Sequence, residues 1–214
     1  MAQIFPKWTN KITKVALGSL LGGLVFIVFV FWYWFSPLHL EVGYSPKQPV
    51  PFSHKIHAGN LGMDCRYCHY NIEKGAVAGV PPTQVCMNCH TQVKPDSMKL
   101  KLIQESWKTD KSVEWVRIHK LPDYVYFDHS AHLTAGIGCA SCHGRIDQMT
   151  QVRMEKPLSM GWCLDCHRNP EPHLRPLDQI TNMEFKPTEA WMQIAKEKAT
   201  RLHPPVESCS GCHR

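Results

Sequence analysis

Every cysteine in this chain belongs to one repeated pattern. The ten cysteines form five Cys-x-x-Cys pairs, each followed at once by histidine: Cys65-Cys68-His69, Cys86-Cys89-His90, Cys139-Cys142-His143, Cys163-Cys166-His167 and Cys209-Cys212-His213. Cys-x-x-Cys-His is the attachment signature of c-type haem, in which two thioethers tether the macrocycle and the adjacent histidine binds the iron. A four-cysteine zinc site consumes the pairs two at a time, and five is odd. A disulfide framework places no demand on the residue after each pair. A thioredoxin-like redox motif occurs once per unit. The expectation is five covalently bound haem c groups, each with iron, and no catalytic residue.

That expectation constrains the fold. Residues 36–214 amount to about 36 residues per motif. So little chain cannot surround each cofactor with a conventional side-chain core, so the haems are expected to be the core and folding to be inseparable from their attachment. Sixteen prolines and thirteen glycines interrupt periodicity, and no strand alternation is visible. The fold class expected is mostly irregular with short α-helices, plus one N-terminal transmembrane helix. Two helices stand out. One runs over 96–108, capped by Asp96. The other spans 187–203, with Trp191, Ile194, Ala195 and Leu202 on one side.

The mean hydropathy of −0.28 conceals one very apolar stretch, the 21 uncharged residues 15–35. A helix of that length spans about 30 Å, enough for a bilayer core. Lys7, Lys11 and Lys14 precede it and no acidic residue occurs before Glu41. The positive-inside rule then places the N-terminus in the cytoplasm, with Trp32, Tyr33, Trp34 and Phe35 as an aromatic belt at the far interface. Bulky aromatics followed by Ser36-Pro37-Leu38, where a cleavage site would need small residues, favour an uncleaved signal anchor. Gly18-x-x-x-Gly22 offers a close packing face for a membrane partner. Because c-type haem is attached outside the cytoplasmic membrane, the expected location is the bacterial inner membrane with the haem domain periplasmic.

The exported part contains an internal repeat. PFSHKIHAGNLGMDCRYCH, then VCMNCH, is matched by YFDHSAHLTAGIGCASCH, then GWCLDCH; the offsets are 75 residues from Phe52 to Phe127 and 74 from Cys65 to Cys139. The expected organisation is a cytoplasmic N-terminus 1–14, the anchor 15–35, a linker 36–51, two-haem units 52–126 and 127–186, and a C-terminal helix with the fifth haem, 187–214.

Low-spin haems need a sixth ligand, His or Met. His54, His57, His129 and His132 occupy equivalent positions in the two copies, and their i, i+3 spacing places both rings of a pair on one side of a helical turn. One histidine of each pair is expected to return to the first haem of its own copy, the other to a neighbouring haem. The fifth ligand is open: His119 or Met160 lead, followed by His173, His203, Met154 and Met183, while His39 abuts the membrane and is expected to be solvated.

The Phe-x-His-x-x-His…Cys-x-x-Cys-His pattern resembles the small class III multihaem cytochromes, which are compact, loop-rich and mostly bis-histidine ligated. With the anchor, the five motifs, RIHKLPDYVYFDHSAH and PLSMGWCLDCHRNP, the whole chain resembles the pentahaem membrane-anchored subunit of bacterial alternative complex III, and also the multihaem subunit of quinone reductases built from similar parts. The resemblance implies electron relay from a membrane quinol-oxidising complex to a periplasmic cytochrome c or a terminal oxidase. It also implies partners: an iron–sulfur subunit, quinol-binding membrane subunits and a monohaem cytochrome c.

Rival functions find less support. Stand-alone quinol dehydrogenase cytochromes typically carry Met two residues after a motif histidine, where this chain has Asn71, Gln92, Arg145 and Asn169. Small-molecule multihaem reductases open one iron position, often with Lys in place of the motif histidine, and here all five are His. The +6 formal charge falls to 21 basic against 18 acidic residues once the three anchor lysines are removed. About ten haem propionates outweigh that surplus, so a basic patch for nucleic acid is excluded. No small-molecule substrate of its own is expected, and no enzyme activity apart from a complex.

Overall fold

The computed structural model describes residues 5–35, 41–201 and 207–213. His39, Leu202 and His203 lie outside the described residues, as do part of the linker and the end of the C-terminal helix. The chain divides into two units, Met1–Glu41 and Val42–Arg214.

The first unit is essentially one helix, α1 (Thr9–Phe35), long and apolar enough to cross a membrane and with no buried residue. It starts ahead of the uncharged stretch because 9–14 also accept helical geometry; Pro6 precedes the first turn, and the Thr9 hydroxyl donates to its carbonyl at 2.7 Å. Twenty-seven residues rise about 40 Å. Aromatic pairs at i, i+4 line its last turns, Phe29 on Tyr33 at 6.1 Å and Phe31 on Phe35 at 5.3 Å between ring centroids.

The second unit is short helices joined by irregular chain: α2 (Cys65–Cys68), α3 (Thr83–His90), α4 (Lys101–Thr109), α5 (His129–Ala135), α6 (Cys139–His143), α7 (Met160–Arg168), α8 (Glu189–Arg201) and α9 (Cys209–Cys212). Among the described residues there is no strand, only isolated bridges between Val125 and His213 and between Ile137 and Leu174. The expected fold class is what the structure has. Every Cys-x-x-Cys-His motif begins in a helix, so the two cysteines, three residues apart, lie on one side of a single turn.

The copies differ by one residue, and the structure shows where it goes. Eight positions separate His57 from Cys65, but seven separate His132 from Cys139. In the second copy the histidine pair sits in α-helix α5. In the first, Lys55–Asn60 winds as a single π turn, with the Leu61 amide donating to the Ile56 carbonyl, five residues back, at 3.0 Å. The wider turn absorbs the extra residue. Both copies then meet a glycine with positive φ three residues before the motif, Gly62 at 64° and Gly136 at 96°.

Two helix expectations are revised. The segment from Asp96 opens with a 3₁₀ turn, Met98–Leu100, before α4, and its cap position is Ser97 rather than Asp96. On α8 the inward stripe is Trp191, Met192, Ala195, Lys198 and Ala199, while Ile194 is 50% exposed. The Trp191 indole N–H donating to the Leu174 carbonyl at 2.9 Å sets that rotation.

Ten hydrophobic side chains are buried among the described residues, too few to fill the interior of the Val42–Arg214 unit. They form small clusters beside the motifs. Val50, Met87 and Ile103 pack α3 on α4, with Cys86, Val113 and Trp115 around them. Ile72, Leu133 and Ile180 join the two copies, against Ala78 and Cys139. Burying a side chain such as Ile103 contributes about 2 kcal/mol. Buried Arg175 ties the 174–185 loop together: its guanidinium donates to the Asn182 carbonyl at 2.8 Å and lies 5.2 Å over the Phe185 ring.

Candidate functional site: facing histidines

Three pairs of histidine rings face each other at nearly one separation. His57 and His90 have centroids 6.1 Å apart, His132 and His167 6.2 Å, and His129 and His143 6.5 Å with planes only 8° from parallel. Two imidazoles bound on opposite sides of one metal, each by a bond of about 2 Å and with the ring centre about 1 Å behind the nitrogen, stand about 6 Å apart. His54 belongs with His69 by proximity: burial first, then the charges of His69 and His57, pull its pKa down to about 4. The first histidine of each pair therefore stands with the first motif of its own copy, and the second histidine with the second motif of that copy.

The ring orientations are fixed from behind. A histidine bonds a metal through one ring nitrogen when the other is held by a hydrogen bond. In six of these histidines Nδ1 is the held nitrogen. It donates to a backbone carbonyl in His57 (Ser53, 2.9 Å), His132 (Asp128, 2.7 Å), His69 (Gly79, 2.8 Å), His90 (Val93, 2.9 Å), His129 (Ala76, 2.7 Å) and His213 (Tyr124, 3.3 Å). Each of these leaves Nε2 for iron. His54 Nδ1 is buried without a hydrogen-bond partner. The donor set, the spacing and the shared tautomer fit haem.

The repeat phenylalanines complete the cradle. Phe52 lies edge-on to His54 at 4.9 Å and stacks on His57 at 4.4 Å. Phe127 does the same to His129, at 4.8 Å, and His132, at 4.5 Å.

The motifs follow one another in space in an order different from the chain. Asn88, inside the second, donates to the Tyr67 hydroxyl, inside the first, at 3.2 Å. The Cys65 thiol of the first lies beside that of Cys139 of the third, which raises the half-buried Cys139 thiol far above its ordinary range. Burial and the nearby Cys166 and Cys163 push Cys142 to about 11, joining third to fourth. Cys163 is raised by burial and then by Cys212 of the fifth, while Arg168 and Glu207 pair at 3.3 Å across the same junction. The row runs second, first, third, fourth, fifth.

The remaining expected ligands are placed as follows. His119 is half-buried, its pKa lowered by burial, with Nε2 3.3 Å from His143 Nδ1. Met160 begins α7 and is 62% exposed; Met154 is buried and Met183 partly so. His173 closes a 3₁₀ turn, its pKa lowered mainly by burial. The ring against His213, among the described residues, is Tyr124 at 5.7 Å. Sequence reasoning missed the six carbonyls that hold Nδ1, because a backbone acceptor leaves no trace in residue type. Phe52 and Phe127 belong to the repeat, but residue type alone gives them no role.

Residues 39–123 match the class III cytochrome c family. The multihaem cytochrome c subunit of menaquinone reductase from Nitratidesulfovibrio vulgaris (strain Hildenborough) is 41% identical over 123 residues, which are 56% of this chain and 56% of that protein. The chain thus spans about half the length of the curated relative it matches. It is homologous to a multihaem cytochrome c subunit, and covalently bound haem c is what such a protein carries.

Proposed function

We propose that this chain is the electron-relay subunit of a membrane quinone oxidoreductase complex. The observation that carries the reading is the trio of facing histidine pairs at 6.1 to 6.5 Å. Five haem c groups would be tethered by Cys65 and Cys68, Cys86 and Cys89, Cys139 and Cys142, Cys163 and Cys166, and Cys209 and Cys212. His69, His90, His143, His167 and His213 would hold the irons, with His54, His57, His129 and His132 as further ligands at the first four motifs and Met160, on the helix beside the fifth, at the last. When bound, haem supplies reversible one-electron chemistry at its iron.

The chain's own residues do the rest. Cysteines fix position, carbonyls at Ser53, Ala76, Gly79, Val93, Asp128 and Tyr124 fix ring tautomer and plane, and Phe52 and Phe127 keep paired rings apart. The units 52–126 and 127–186 each hold two haems, and 187–214 holds the fifth. Helix α1 anchors the subunit in the inner membrane, with the N-terminus cytoplasmic and the haem domain periplasmic.

The homologous menaquinone reductase subunit favours delivery of electrons from an outside donor toward menaquinone. The opposite direction is the second reading. There, as in alternative complex III, quinol electrons pass to a periplasmic cytochrome c or a terminal oxidase; the full set of five motifs and the RIHKLPDYVYFDHSAH segment favour it. Both give the chain the same partners: an iron–sulfur subunit, quinone-binding membrane subunits and a monohaem cytochrome.

Mild-detergent purification with membrane partners, haem counting by pyridine haemochrome and a redox titration test the proposal. Five low-spin haems co-purifying with a quinone-reactive subunit support it, and assays with menaquinone and menaquinol analogues separate the two directions. A fully active isolated monomer, or a high-spin haem that binds nitrite, would sink it.

A further inference from the structure

Six histidines hold Nδ1 against backbone carbonyls, but His143 does not. Its Nδ1 meets the Nε2 of His119 at 3.3 Å, with ring centroids 4.4 Å apart and planes at 78°. That contact is too short to leave room for a metal between the rings, which would need about 4 Å from nitrogen to nitrogen. It also uses the wrong nitrogen of His143. The nitrogen of His143 left free is Nε2, and the parallel ring of His129 stands 6.5 Å away. His119 is held in place through its own backbone, whose carbonyl accepts from Arg117 Nε at 3.2 Å.

We propose that His119 is a positioning residue for the third haem: its Nε2 accepts the Nδ1–H of His143 and sets that ligand's orientation and electron donation, and it does not bind iron. The tautomers follow. His143 carries its proton on Nδ1 and presents Nε2 to the iron; His119 carries its proton on Nδ1. An imidazole nitrogen is a stronger acceptor than the amide carbonyls behind the other ligands, so His143 is made more electron-rich than its counterparts, which favours the ferric iron. The third haem is thereby held at a lower potential than the same site would have without His119. His119 lies just ahead of the second copy, and the first copy has no histidine at the matching offset, so this partner distinguishes otherwise equivalent sites.

The inference rests on His143 ligating iron, part of the proposed function, and the test separates the two. His119→Gln, which keeps an acceptor oxygen, and His119→Leu, which does not, are made in the full chain and purified with haem. Haem content, low-spin absorption and electron paramagnetic resonance, and a redox titration are compared with the parent. Unchanged haem content and an all-low-spin spectrum are expected in both. One component of the titration should move to higher potential in His119→Leu and return most of the way in His119→Gln. A high-spin component in His119→Gln would make His119 an iron ligand and overturn the proposal, as would a titration of His119→Leu superimposable on the parent. An electron-density map of the unmodified holoprotein decides independently of any variant: Nε2 of His119 bonded to iron overturns it, Nε2 on His143 Nδ1 sustains it. A parent protein lacking haem at the third motif would instead fail the proposed function.

Discussion

Phe52 stacks on His57 with 4.4 Å between ring centroids and 25° between planes. The edge of the same ring meets His54, so one aromatic side chain separates and orients two histidines that stand with different motifs. Phe127 repeats the arrangement around His129 and His132. The phenylalanine is therefore a spacer, and the repeat duplicates a mechanical part together with its ligands.

Removing the spacer should loosen both rings. Phe52→Ala is expected to destabilise the protein by about 2 kcal/mol, less than a fully buried phenylalanine because the ring is only partly buried. The low-spin signals of the first and second haems should broaden together, while Phe127→Ala affects the third and fourth. Denaturant titration and electron paramagnetic resonance check both effects.

Each facing histidine should be separable from haem attachment. In His57→Ala or His132→Ala the cysteines remain, so haem content by pyridine haemochrome is expected to hold at the parental value. One haem should turn high-spin and bind carbon monoxide when reduced. Loss of the haem altogether, or a spectrum that stays fully low-spin, would contradict the pairings of His57 with His90 and His132 with His167.

The π turn depends on a glycine. A Cβ on Gly59 would collide with the backbone carbonyl of Asp147, which cannot swing aside as a side-chain end can. Gly59→Ala should cost about 1–3 kcal/mol as an overpacking change. It should also perturb the second haem, because the displaced turn carries His57. Thermal unfolding and the redox titration of that component are the measurements.

Acid should weaken the start of α2. Asp64 caps that helix, accepting from the Arg66 amide at 2.8 Å, and the Arg66 guanidinium holds its carboxyl down at about 2 against an ordinary 3.8. A depressed carboxylate stabilises the fold above its unfolded pKa, and that contribution disappears as pH falls from about 3.8 toward 2. The pair is largely exposed, so the effect is at most about 1 kcal/mol. Asp64→Asn keeps a capping oxygen without the charge. Its acid-unfolding curve, followed by circular dichroism, should be flatter across that interval.

What could be read in advance was whatever residue type encodes. The Cys-x-x-Cys-His motifs, the duplicated histidine pairs and the apolar stretch ending at Phe35 each depend on particular side chains at particular spacings, and the short helices and the long apolar helix follow from them. The start of α4 and the rotation of α8 did not follow, because they are set by distant contacts such as that of Trp191 with the Leu174 carbonyl. The carbonyls behind the ligand rings were invisible for a different reason: Ala76 and Val93 act through their backbones, and any residue would serve. Residue type alone makes His119 a possible iron ligand, and only its position against Nδ1 of His143 separates that role from the one proposed.

The order of histidines and motifs along the chain bears on the order in which the protein is made. Both histidines of each pair precede, by a few tens of residues at most, the motifs they face. Under the proposed function, a chain threaded outward from its N-terminus exposes His54 and His57 before the cysteines that would tether their haems. The first copy can complete its ligand sets while the second is still being synthesised, with only local loops to close. Contacts between the copies, such as Cys65 beside Cys139 and the His129 ring on the Ala76 carbonyl, form afterwards. Under that proposal maturation has two self-contained stages and a joining step, and a defect confined to the second copy should leave the first one loaded.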